Sequence, residues 1–314
     1  KPTSGSGKES CIMAREASTI KTKYRLNKGD GAWAYAFIAV ALVVYAMFTA
    51  YPVVSAFIIS FQDYKPLGSS YVGLDNYVSV FQSSLFWKSM GNTVLYTVLT
   101  VPVALMLSFG VAILIMPLKK WMQTSFKAIY YLPAVASGVA LSVVWLWIFD
   151  PLQSGILNQL VGVFGISNQN WLGASATSMF SLVLMSWLSS HGTSIIIYVA
   201  ALLGIDSSYY EAADIDGASF LQKMWHIVLP CLKPTTLFLL VTGVIGSFQV
   251  FQNAYLMTGG GPDHSTTMVG LLIFDTAFKY FEFGNAAAQS LVLALVIAVM
   301  AFIQFKFLGK DVEY

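Results

Sequence analysis

The sequence predicts an all-α membrane protein, with six transmembrane helices and one long loop between the fourth and the fifth. Three observations predict it. Of 314 residues, 57% are hydrophobic and only 10% are charged, where an ordinary soluble domain carries about 25% charged residues. The charges are spaced so that six long windows hold no Asp, Glu, Lys or Arg. The Lys and Arg residues collect on alternate connections. A soluble enzyme and a disordered chain are excluded by this composition. A nucleic-acid partner is excluded too, because a formal net charge of +2 offers no field for phosphate backbones.

Each window can hold a helix of the roughly 20 apolar residues that cross a hydrocarbon core. The window from Asp30 to Asp63 places the first span near 32–60, and the window from Lys88 to Lys119 places the second near 93–115. The third span falls near 128–149, between Lys127 and Asp150. The window from Asp150 to Asp206 begins as loop, with Gln153, Ser154, Gly155, Asn158 and Asn168, so its span falls near 178–203. The last two lie near 235–257 and 287–306. Helices are expected because lipid demands an internally satisfied backbone, and the runs are too continuous for barrel strands.

Orientation follows from the cations. Of 17 Lys and Arg residues, 14 fall on the tail, the second and fourth connections and the C-terminus, and 3 (Lys65, Lys88, Lys279) on the other side. This asymmetry puts both termini in the cytoplasm. The expected organisation is a cytoplasmic tail at 1–29, a six-helix domain at 30–308 containing the loop at 204–233, and a cytoplasmic end at 309–314. Cys11 and Cys231 then face the reducing side as free thiols. The tail is too polar for a signal peptide. Its Gly5-Ser6-Gly7-Lys8 is no phosphate loop: Glu9 stands where Ser or Thr is needed and the upstream glycine is missing.

The loop at 204–233 has helix grammar. Ser208 precedes Glu211 by three residues, as in a capping box. Ala212 and Ala213 favour helix, Gly217 offers a break, and a second helix is expected from Ala218 to Val228, closed by Pro230 and Pro234. Two short helices around a glycine suit either docking to a soluble partner or a plain interfacial helix pair.

Glu211-Ala212-Ala213, three residues, Gly217, nine residues, Ile227, one residue and Leu229-Pro230 resemble the EAA loop of binding-protein-dependent ABC importers. Tyr210 to Phe220 with Leu229 to Pro234 resembles the sugar-importing branch, the carbohydrate uptake type 1 family. Thr258-Gly259-Gly260-Gly261-Pro262, followed by Phe278 and Gly284, resembles the larger permease of the maltose importer and the glycerol-3-phosphate importer permease. Tyr51-Pro52, Phe61 to Tyr64, Gly73 to Tyr77, Tyr131-Leu132-Pro133, Gly155 to Asn158 and Trp171-Leu172 extend the likeness over roughly residues 30–310. The large domain inserted in the first outer loop of the maltose permease has no counterpart here. The resemblance implies a non-catalytic subunit in a bacterial inner membrane, forming half of a path with a second homologous permease. It further implies two ATPase subunits that bind ATP and Mg, and an extracytoplasmic solute-binding protein that delivers a carbohydrate, expected to be an oligosaccharide. No cofactor is implied for this chain itself. Glu211, Ala212, Ala213, Asp216, Gly217, Leu229 and Pro230 would form the helix that couples to the ATPase.

Polar residues within spans mark a path or a helix contact. Gln249, Gln252 and Asn253 stand at i, i+3 and i+4, on one face of a continuous helix. They can meet sugar hydroxyls or bond between helices. Trp187, His191, Ser194 and Tyr198 form a second stripe, and Asn285 and Gln289 a weaker third site. No Cys/His cluster has metal-ligand spacing and no paired carboxylates stand ready for acid–base work. A secondary transporter of a polar solute is the competing reading. It calls for inverted repeats and broken midplane helices, neither of which the sequence displays, and no span carries a carboxylate for an ion relay.

Overall fold

The computed structural model describes residues 28–66, 68–189 and 191–309. The expected tail, with Lys8 and Cys11, lies outside the described residues except for its last two positions, and so do the residues after Gly309. The chain divides into two units, 1–56 and 57–314. In the first unit α1 (Lys28–Tyr45) passes through a π turn at Ala46–Ala50 into the start of α2 (Tyr51–Ile59). Tyr35–Ile59 is long and apolar enough to cross a membrane, as expected.

The second unit opens with a hairpin of β1 (Gln62–Lys65) and β2 (Gly68–Tyr71), paired Gln62 with Tyr71 and Lys65 with Gly68. Asn76 on α3 (Asp75–Gln82) donates to the carbonyls of Ser60 at 2.8 Å and Gln62 at 2.9 Å, tying α3 to the residues that follow α2. The hub is α4 (Ser84–Ile115), 32 residues long. It starts earlier than the apolar window suggests because Ser83 caps it, accepting from the Phe86 amide at 3.2 Å. It packs on α8 (Ser175–Ser189), α9 (Gly192–Leu203) and α13 (Lys233–Phe248), which are introduced in order below.

Where one straight span is expected near 128–149, two helices occur. They are α5 (Lys120–Val135) and α6 (Gly138–Ile148), bent by 97°. Pro133 lacks the N–H that would bond one turn back, and Ala136 and Ser137 then turn extended. The next connection contains α7 (Ile156–Gly162). The fourth span is also two helices, α8 and α9, meeting at His191 with a bend of 44°. After α10 (Ser207–Ile215), α11 (Phe220–Lys223), a π turn at Met224–Val228 and α12 (Leu229–Cys231), the chain bends by 64° into α13. The fifth span is shorter than expected: α13 stops at Phe248, and α14 (Gln252–Met257) starts a new helix. The loop from Thr258 to Thr267 is held to α4 by Lys88 donating to the Asp263 carbonyl and Asn92 to that of His264. Then come α15 (Val269–Phe274), a π turn at Asp275–Lys279 and α16 (Phe283–Leu308). Three helices alone and three bent pairs thus account for six spans.

Candidate functional site

Three helix breaks converge in the second unit. The α13–α14 break at Gln249–Phe251, the α8–α9 break at His191 and the α5–α6 break at Ala136–Ser137 all border space lined by Ser186 and Asn253. One cavity at these breaks, about 360 Å³, is walled by α4, the α8–α9 junction and α13. Tyr96, Thr100, Ser186, His191, Ser194, Thr242, Ser247 and Asn253 are the polar residues that line it. Among the described residues, no Asp, Glu, Lys or Arg lines it. A smaller space of about 300 Å³, beside Pro133, Gly138 and Ser189, shares Ser186 and Asn253. Hydroxyls, the Asn253 amide and the His191 imidazole against apolar helix faces can exchange hydrogen bonds with a neutral polyhydroxy ligand, and the lining offers no carboxylate, ammonium or guanidinium to fix an ion.

The sequence places these residues by ordinary helix chemistry. The hydroxyls of Thr93, Thr97 and Thr100 each donate to the carbonyl one turn earlier, at 2.7–2.8 Å. This keeps a polar line satisfied inside an apolar helix. Ser247 on α13 donates to Thr97 Oγ1 at 2.9 Å and locks the two helices together. Gly138, at the start of α6, faces Gln252, whose amide oxygen would lie 2.9 Å from any Cβ placed there. A side chain there would make the end of the Gln252 side chain swing aside.

Five predicted positions need correction. Gln249, Gln252 and Asn253 do not share a helix face. Gln249 ends α13, Val250 and Phe251 interrupt the helix, and only Asn253 lines the cavity. Trp187, His191, Ser194 and Tyr198 do not form one stripe, because His191 caps α9 and breaks the register. His191 and Ser194 line the cavity, while the Trp187 indole donates to the Leu99 carbonyl at 2.9 Å. Tyr198 is buried with Phe109 and donates to Thr236 at 3.2 Å. Gln289 is buried on α16 and donates to Thr276 Oγ1 at 3.3 Å, away from the cavity lining. Sequence reasoning missed Tyr96, Thr100, Ser186, Thr242 and Ser247. The Thr93, Tyr96, Thr97, Thr100 run inside an otherwise apolar span was the signal for two of them.

The second candidate surface is the loop of α10 to α12. Asp206, not Ser208, caps α10, with its carboxylate accepting from the Ser208 amide at 2.9 Å. The amide and the hydroxyl of Ser208 hold the Asp206 carboxyl below the usual carboxylate range. With this start Glu211 falls in the second turn of α10, beyond the reach of the helix dipole. Gly217 follows Asp216 with φ +70°. Its amide donates to Asp214 and that of Ala218 to Ala213, at 3.1 and 2.9 Å. These are the two bonds of a Schellman stop. The second helix begins at Phe220, not Ala218, with Ser219 and Gln222 as a reciprocal capping box. It runs through Pro230 as π and α turns, and Pro234 opens α13 instead of closing a helix. Lys223 pairs with Asp214 across the glycine turn. Glu211, Ala212, Asp216, Gly217 and Pro230 are exposed, and Ala213 and Leu229 half-buried. Ile215 is 87% exposed on this surface, joined by exposed Leu221 and Trp225.

Comparison with known proteins agrees with this architecture. The chain is 33% identical over 278 residues to the arabinooligosaccharides transport system permease protein AraP of Bacillus subtilis, covering 88% of each. It is 30% identical to the lactose transport system permease protein LacF of Rhizobium radiobacter, covering 92% of this chain and 96% of that one. Its fold matches a chain from the crystal structure of a bacterial ABC transporter that imports the acidic polysaccharide alginate. There the TM-score is 0.77 at 22% identity, covering 90% of this chain and 96% of that chain. The family model described as "binding-protein-dependent transport system inner membrane component" matches residues 81–312. This chain, a helical protein with candidate membrane spans, belongs to that family of binding-protein-dependent transport components.

Proposed function

We propose that the chain forms half of the translocation path of an ATP-driven carbohydrate importer, with an oligosaccharide as substrate. The observation that carries this reading is the uncharged, hydroxyl-rich cavity between Ser194 and Asn253, inside a member of a binding-protein-dependent family. The sugars named for AraP and LacF support it. The substrate arrives on an extracytoplasmic binding protein, and a second homologous permease supplies the other half of the path. Two ATPase subunits bind ATP and Mg and dock on the exposed face of α10 and α11, with both chain termini on the same cytoplasmic side. Closure of the ATPase pair moves the Gly217 turn, and α13, continuous with that loop, carries the motion to the cavity wall. The helix breaks also suit the alternative, a secondary transporter, which builds its site from interrupted helices; the absence of a carboxylate among the cavity-lining residues argues against ion coupling.

The test is uptake of labelled oligosaccharide into vesicles holding this chain, its partner permease and the ATPase, with binding protein outside. Uptake is expected only with ATP at the ATPase face and with binding protein present. Uptake driven by an ion gradient in the absence of the ATPase would overturn the reading.

A further inference from the structure

We propose that the elbow between α4 and α5 binds an anionic phospholipid, with its two acyl chains in two adjacent apolar grooves and its headgroup on Lys119 and Lys120. The first groove, about 460 Å³, lies between the end of α4, α9 and the loop after α10; Ile113, Met116, Leu202, Met224 and Val228 form much of its wall. The second, about 270 Å³, lies between α4 and α5, against Val111, Ile115, Leu118 and Phe126. Leu114 lines both and is 72% exposed, so the grooves flank one side chain. Two apolar channels that meet at one ridge match a molecule with two chains and one head.

The polar end is built at the same place. Met116-Pro117-Leu118 leads directly into Lys119 and Lys120, both exposed, and neither is in an ion pair among the described residues. The turn is rigid. Gln123 donates to the carbonyls of Met116 at 2.8 Å and Leu118 at 3.0 Å, which holds the turn that leads from the groove residues Pro117 and Leu118 into the lysines. Trp121, 69% exposed, is an aromatic of the kind that settles at headgroup level. Basic groups beside gaps between membrane helices select anionic headgroups. The plainer account is that the lysines only set topology and complement the α4 C-terminus, with any lipid in the grooves. That account predicts no headgroup preference. The first groove is also walled by Tyr210, Phe220 and Met224 of the loop, so a seated acyl chain braces that loop against α4.

The experiment does not depend on what the protein transports. The full chain in its assembly is reconstituted in vesicles of phosphatidylcholine and phosphatidylglycerol, extracted, and analysed for retained lipid by native mass spectrometry. Retention of phosphatidylglycerol over phosphatidylcholine is expected. Lys119→Gln with Lys120→Gln should reduce that preference by about fivefold per lysine. Leu114→Trp should lower retention of both lipids at unchanged melting temperature. Hydrogen exchange across 218–228 should slow when phosphatidylglycerol is present. Equal retention of the two lipids by the unaltered chain, or an unchanged preference in the double variant, overturns the proposal. So does a photocrosslinker at Leu114 that captures residues 1–27 of the chain instead of lipid.

Discussion

The indole nitrogen of Trp187 donates to the backbone carbonyl of Leu99 at 2.9 Å, joining α8 to α4 just before Pro102. A proline inside a helix removes one ladder bond and strains the turn before it. Trp187 therefore supports α4 where its own backbone is weakest, and His191 in turn donates to the Trp187 carbonyl. The two contacts fix the α8–α9 break that forms one wall of the cavity.

Trp187→Phe should keep the edge contact with Phe180 but lose the bond. Interhelical hydrogen bonds in membranes contribute about 0.6 kcal/mol on average and up to about 1.7. A fall of about 2–4 °C in melting temperature is expected, read by thermal unfolding in detergent. An unchanged melting curve would remove the supporting role.

Ser194→Ala and Asn253→Leu should each reduce oligosaccharide uptake by about 5–10-fold, the worth of one lost hydrogen bond to substrate. Assembly with the partner subunits should be unaffected. Gln289→Leu should leave uptake within about twofold of normal, because Gln289 bonds to Thr276 on the α16 side and lines no part of the cavity. Transport assays on the three variants at equal membrane levels decide it. A larger loss in Gln289→Leu than in Asn253→Leu would reverse the site assignment.

Gly138→Ala should force the Gln252 amide, which neighbours Asn253 in sequence, out of its present rotamer, at a cost of about 0.5–1.5 kcal/mol. Uptake should fall. Truncating the neighbour as well, with Gln252→Ala, should restore much of it. Absence of rescue in this double-mutant cycle would mean the two residues do not act through each other.

At Gly217 a side chain must adopt φ +70°, which costs a β-branched residue roughly 1–2 kcal/mol or more. Gly217→Val should therefore misdirect α11 relative to α10, weaken the Asp214–Lys223 pair and leave membrane insertion intact. Little sugar-stimulated ATP hydrolysis and poor co-purification of the ATPase are expected, with Glu211→Ala milder in the same direction. Normal coupling in Gly217→Val at equal expression would contradict the docking role of the loop.

The six spans were legible because charge is costly in hydrocarbon, and its absence over long windows needs no structure to be noticed. The glycine turn was legible because Gly217 follows a helix-favouring Glu211-Ala212-Ala213. The cap was not, because Asp206, Ser207 and Ser208 all have oxygens that can cap, and only geometry selects Asp206. The breaks that form the cavity were harder. Pro133, Gly138 and Gly192 stand at two of them, yet each of those spans was read as one continuous helix. Gln249-Val250-Phe251 contains neither proline nor glycine, so the polar residues around it were read as one continuous face. Tyr198 and Gln289 show the same limit in another form. Periodicity tells which side chains share a face, and only packing tells what that face meets.

The account's central claim is that sugar passes between the α8–α9 junction and the start of α14. A cryo-electron microscopy map of the assembled complex, trapped during turnover with oligosaccharide, tests it most directly. Sugar density is expected within hydrogen-bond distance of Ser194 and Asn253, in the cavity that Tyr96 and Ser247 also line. Sugar density on the Gln289 side of α16, with this cavity empty, would contradict it.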